Sequence, residues 1–184
     1  SDELQTAIAD QQILLHFQPK IALAARSIAG FEALVRWQHP RHGLVSPSQF
    51  IPLAEESGLI GPLTDRVLAL ALPQCALWNT AGLHTKVSVN LSAHILTDLH
   101  TPDHLARQAA SMGIDPEQIV LEITESGAFG NTADILDILA RLHMKGFALS
   151  IDDFGKGYSS LEQLRRVPFS ELKIDRAFVH GAAD

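Results

Sequence analysis

The 184-residue chain carries 14 Lys and Arg against 21 Asp and Glu, a formal charge of −7 with His neutral, and 46% of it is hydrophobic. That length and apolar fraction suit one domain with a sizeable core and exclude intrinsic disorder. The acidic balance speaks against a DNA or RNA polymer as partner, because a phosphate backbone calls for basic charge, and it is compatible with a cation site. Cys75 is the single cysteine, so no intrachain disulfide forms, and its apolar helical setting reads as a buried, inert thiol in a reducing cytoplasm. The longest apolar runs, such as Val67 to Leu72, are too short to span a bilayer, and no basic-then-apolar leader opens the chain.

In chain order, Asp2 to Gln12 is helical in pattern. Leu14 to Leu23 and Ala29 to Trp37 read as strands joined by a turn near Arg26, and a helix follows over about Ser48 to Ser57. From about residue 64 the pattern becomes repeated strand–helix units. Lys86 to Asn90 is a strand, and Thr101 with Pro102 starts a helix that runs through Leu105 to Met112 and closes at Gly113. Gln118 to Thr124 is a strand. Asn131 and Thr132 cap the next helix, whose Ile135, Ile138, Leu139 and Leu142 fall at i, i+3, i+4 and i+7 before Gly146 ends it. Phe147 to Ile151 is a strand, a short helix through Leu161 and Leu164 stops at Pro168, and Glu171 to Ile174 is the last clear strand.

This alternation suits an open doubly wound sheet or a (β/α) barrel. No glycine-rich dinucleotide loop follows an early strand, which favours the barrel. In a barrel the functional groups gather at the C-terminal strand ends, and here those ends carry Glu32, Asn90, Glu122, Asp152 and Lys173. Asp152 and Asp153 stand where a strand gives way to a loop broken by Gly155 and Gly157. Neighbouring strand residues point to opposite faces, so both acids reach one ligand only if the strand ends between them, with Asp152 inward and Asp153 over the rim. Taken alone, the run also suits a polar turn with an Asx cap. Glu122 is more telling, because Val120, Leu121 and Ile123 flank it, and a buried carboxylate requires a cation or strong donors.

Carboxylate and amide oxygens match Mg²⁺ or Mn²⁺ better than zinc. Of the nine histidines only His100 and His104 have helical i, i+4 spacing, and Pro102 lies between them, so the histidines read as surface or packing residues. Two cations sharing Asp152 would activate a water and clamp a phosphoryl group for in-line displacement, so phosphodiester hydrolysis is the natural reaction. Lys173 suits holding that water or neutralising developing charge, and Arg36 suits gripping a phosphate oxygen.

An ordered set of motifs spans nearly the whole chain: Gln18-Pro19, Phe31-Glu32-Ala33-Leu34-Val35-Arg36-Trp37, Phe50-Ile51-Pro52-Leu53-Ala54-Glu55 and Ser88-Val89-Asn90-Leu91-Ser92, followed by Leu121-Glu122-Ile123-Thr124-Glu125, Asp152-Asp153-Phe154-Gly155 and Leu172-Lys173-Ile174-Asp175. It resembles the EAL domain, the cyclic di-GMP phosphodiesterase family of bacteria. The resemblance implies a TIM-like barrel whose first strand runs antiparallel to the others. It implies that Glu32, Asn90, Glu122 and Asp152 hold one metal, that Asp152 and Asp153 contribute to a second, and that Lys173 contacts the catalytic water. Glu125 resembles the residue that steadies the loop after Asp153, while Gln18, Leu34 and Arg36 resemble part of the substrate surface. The reaction so implied is hydrolysis of cyclic di-GMP to linear pGpG by a homodimer.

Two departures accompany the resemblance. Lys156 stands where the family usually has a small residue or Thr, and the family's later strands, with a Glu-Gly-Val-Glu-like motif and a Gln-Gly pair, have no match. The expectation is therefore an incomplete barrel of about six strands, truncated at its C-terminal end, against roughly 250 residues for a whole one. Residues 1–12 read as a connector to an upstream GGDEF or sensor domain and residues 13–184 as the EAL domain. The alternative is a catalytically inactive domain acting as a cyclic di-GMP receptor or protein-interaction module.

Overall fold

The structure, a computed structural model, describes residues 2–129, 133–155, 164–165 and 167–179. The chain divides into two units, Ser1–Val89 with Ser111–Ile114, and Asn90–Ala110 with Asp115–Asp184. In the first, α1 (Asp2–Ala9) precedes the hairpin of β1 (Ile13–Ala22) and β2 (Ser27–His39), then β3 (Gly43–Val45), α2 (Pro47–Glu56), α3 (Ile60–Thr80) and most of β4 (Lys86–Asn90). β1 runs antiparallel to β2, as expected, whereas β4 lies parallel to β2 with Gly30 to Ala33 beside Lys86 to Val89.

Two-residue alternation gives the β1–β2 hairpin two different faces. One carries Phe17, Phe31, Ala33 and Trp37; Trp78 of α3 stacks on Phe31 at 4.3 Å between ring centroids and meets Phe17 edge-on at 5.1 Å. Each such ring pair adds about 1 kcal/mol beyond area burial. Cys75 lies on the buried side of α3, where desolvation pushes its thiol pKa up, as its apolar surroundings indicated. Gly30 admits the close approach of β4, since a Cβ there would lie 2.8 Å from the Lys86 carbonyl oxygen. Gly30→Ala should lower stability by about 1–3 kcal/mol, read as an earlier midpoint in urea unfolding.

The second unit contains α4 (Thr101–Ser111, its last residue assigned to the first unit), β5 (Ile119–Thr124), α5 (Glu125–Ala128), α6 (Ala133–Met144), β6 (Ala148–Phe154), β7 (Glu171–Ile174) and α7 (Arg176–Val179). β5, β6 and β7 are parallel neighbours. The helical period of α6 puts Ile135, Ile138, Leu139 and Leu142 on its buried face, and Leu121, Ile123, Leu149 and Ile151 supply the apolar sheet residues. The proposed caps Asn131 and Thr132, the helix about Leu161, and Lys156 and Gly157 lie outside the described residues. Among the described residues no helix is long and apolar enough to cross a membrane.

Candidate functional site

In the β5–β6–β7 sheet, parallel register places Glu122 beside Ser150 and Thr124 beside Asp152, and Ser150 beside Glu171. Two residues on along β7 comes Lys173, so one face of three apolar strands carries a continuous polar patch. Its centre is Lys173. The ammonium stands 2.7 Å from Glu122 Oε2 and 3.3 Å from Asp152 Oδ1. Glu122 is only 1% exposed, and this contact supplies the positive charge that its burial demands. Ser150 Oγ donates to Glu171 Oε1 at 3.3 Å on the same face.

The structure corrects one expectation. The strand does not end between the two aspartates; β6 continues to Phe154. Ile151 pairs with Leu172 and Phe154 with Ile174, so Asp152 and Asp153 together oppose the single residue Lys173. This bulge re-aims the second acid, and Asp153 takes a left-handed φ of 56° to make it. Aspartate tolerates that conformation better than most residues, and the Asp153 N–H donates to Asp152 Oδ1 at 2.9 Å.

Beyond the bulge Gly155 has φ 105°, a region open to glycine, and its N–H donates to Glu125 Oε2 at 2.9 Å. Glu125 begins α5 and is 3% exposed; Thr124 caps that turn by accepting the Gly127 N–H at 3.2 Å. Asn90 ends β4, and the following Leu91 N–H donates to the Glu122 carbonyl at 2.8 Å. Asn90, Glu122, Glu125, Asp152, Asp153 and Lys173 all belong to this second unit.

The remaining sequence candidates form a group of their own in the first unit. Gln18 pairs directly with Glu32, and Leu34 and Arg36 follow Glu32 at two-residue steps, so all share the hairpin face opposite Trp78. Arg36 Nη1 donates to the Val35 carbonyl at 2.7 Å. Lys20, two residues from Gln18, donates to Ser88 Oγ at 3.2 Å, and Ser88 is the parallel partner of Glu32. Lys20 was not singled out from the sequence, and Ser88 entered only within the Ser88-Val89-Asn90-Leu91-Ser92 motif, although the strand period from Gln18 and Asn90 leads to both.

Glu122 and Asp152 present two carboxylates to one ammonium, a surplus of one negative charge before Asp153 is counted. Oxygen-only donors with surplus negative charge fit a hard divalent cation in donor chemistry. Among the described residues no three His, Cys, Asp or Glu side chains gather as a ready metal cage; Lys173 supplies the local positive charge.

The EAL domain family profile matches residues 1–184. A bifunctional diguanylate cyclase/cyclic di-GMP phosphodiesterase of Pseudomonas aeruginosa, MucR, is 42% identical over 182 residues, covering 98% of this chain and 27% of that protein. The chain thus spans about a quarter of the length of the curated relatives it matches. The structure of the MucR phosphodiesterase in complex with c-di-GMP superposes with a TM-score of 0.93 at 42% identity, covering 100% of this chain and 75% of that one. The FimX EAL domain of Pseudomonas aeruginosa bound to c-di-GMP gives a TM-score of 0.86 at 26% identity, covering 100% and 74%. The α/β fold with its antiparallel first strand is therefore that of these TIM-like barrels, of which the chain carries part. With the profile matched from end to end and the acidic strand termini in place, the chain belongs to the EAL domain family.

Proposed function

We propose that the chain is the catalytic part of a cyclic di-GMP phosphodiesterase that hydrolyses its substrate to linear pGpG with Mg²⁺ or Mn²⁺. The observation that carries this reading is the Glu122–Lys173–Asp152 cluster at three parallel strand ends. The phosphodiesterase name of the 42% identical relative supports the reaction class. Asn90, Glu122, Asp152 and Asp153 would hold the cations. Bound there, the cations supply a water of lowered pKa and neutralise charge on the phosphoryl oxygens.

Lys173, already fixed by two carboxylates, orients the attacking water and offsets developing negative charge on the phosphodiester. Glu125 holds the Gly155 backbone and so keeps the Asp152–Asp153 bulge in shape. Gln18, Leu34 and Arg36 form the surface for the dinucleotide, where the Arg36 fork suits a phosphate. The bifunctional relative supports a diguanylate cyclase (GGDEF) domain in the parent polypeptide, and by family resemblance alone the parent is expected to act as a cytoplasmic homodimer.

A second reading, a cyclic di-GMP receptor without turnover, is favoured by the ammonium standing between the two carboxylates, where it already balances charge. Incubation with cyclic di-GMP in Mg²⁺, Mn²⁺, Ca²⁺ or chelator, followed by chromatography, separates the two. Hydrolysis is expected in Mg²⁺ or Mn²⁺, with loss in Ca²⁺, which binds the same oxygens but polarises water more weakly. Saturable binding with no pGpG in either activating metal would establish the receptor instead.

A further inference from the structure

Gly155 leaves the room in which the Phe178 ring lies against its backbone. A Cβ on Gly155 would lie 2.5 Å from Cε2 and 2.9 Å from Cζ of Phe178, so the ring edge rests directly on the Gly155 backbone. Phe178 is 57% exposed in this chain. Its placement is nevertheless well defined. The Asp175 N–H donates to the Phe154 carbonyl at 3.2 Å, and Asp175 Oδ1 accepts the Ala177 N–H at 2.9 Å, fixing the start of α7. The Phe178 N–H then donates to the Asp175 carbonyl at 3.0 Å. On its other side, Gly155 is tied to Glu125 at 2.9 Å.

Three segments, each following one of the parallel strands β5, β6 and β7, are thus stapled in order: Glu125, Gly155, Phe178. Between the staple and the strands lies Asp153, in a backbone conformation that non-glycine residues adopt at some cost and keep only when their surroundings enforce it. We propose that Phe178 is a positioning residue whose ring clamps Gly155 onto the Glu125 carboxylate and thereby holds the Asp152–Asp153 bulge in its cation-binding shape. The clamp rests on the contacts above; its consequence for metal and turnover rests on the phosphodiesterase reading.

The test compares the chain with Phe178→Ala, Phe178→Leu, Gly155→Ala and the Gly155→Ala/Phe178→Ala pair. Amide hydrogen exchange followed by NMR reads the clamp directly. Phe178→Ala should speed exchange of the Gly155 amide about tenfold while leaving the core Leu149 amide unchanged, and Phe178→Leu should restore part of the protection. Gly155→Ala should do less further harm in the Phe178→Ala background than alone, because the ring it strikes is gone while the φ strain is common to both. Mn²⁺ titration followed by electron paramagnetic resonance should show weaker binding in Phe178→Ala, with the activation constant for metal raised and KM for cyclic di-GMP unchanged.

Unchanged Gly155 exchange, strictly additive effects in the pair, or an equal rise at Gly155 and Leu149 would each overturn the clamp, the last by making Phe178 a stability residue only. A lost Gly155 protection alongside a wild-type chain that hydrolyses no cyclic di-GMP would leave the clamp standing and remove the phosphodiesterase reading alone.

Discussion

Asp152→Asn should lower metal-dependent hydrolysis of cyclic di-GMP by about 10³-fold, the several kcal/mol that cation stabilisation of a phosphoryl transition state supplies. The substitution is close to isosteric, and the asparagine oxygen can still accept the Asp153 N–H that Asp152 Oδ1 accepts now. The bulge therefore keeps its local hydrogen bond while the charge that attracts a cation is lost. Chromatographic rates at saturating Mg²⁺ and Mn²⁺, with the unfolding midpoint as a control, separate these effects. A variant as stable as wild type that retains a tenth of its rate would take Asp152 out of the reaction.

The second large effect is on stability. Lys173→Met leaves the Glu122 carboxylate, whose side chain is fully inaccessible, without its ammonium partner. Removing one member of such a pair costs about 3–5 kcal/mol, because the remaining charge keeps its desolvation penalty. Glu122→Leu added to Lys173→Met should recover most of the loss, since an apolar replacement of both members removes the penalty. Mg²⁺ should also raise the urea midpoint of the single variant, as a ligand bound only by the folded chain does. A loss under about 1 kcal/mol would show that the pair is dispensable for folding.

Parts of this arrangement could be read from the residues before any coordinates. The 86–90 and 171–174 strands coincide with β4 and β7, and the spacing of Ile135, Ile138, Leu139 and Leu142 identified the buried face of α6. These are local signals, carried by period and by glycine or capping residues at the ends. The path of β6 was not legible, because the bulge at Asp152 and Asp153 depends on how many residues of β7 stand opposite, which is a property of two strands. The three residues of β3 are too few for any period to show. The contact of Lys20 with Ser88 was not legible because it exists only once β1, β2 and β4 come together.

Because two residues of β6 face one residue of β7, the pairing tolerates no slippage. Moving β7 by a single position would bring Leu172 or Ile174 up to the Glu122 carboxylate and send Lys173 to the opposite side of the sheet. Neither apolar side chain can supply the positive charge that the buried Glu122 carboxylate requires. The ammonium thus favours the native register. The charge proposed for catalysis therefore doubles as the checksum of strand alignment, and a chain that mispairs here would lose its chemistry and its fold in the same step.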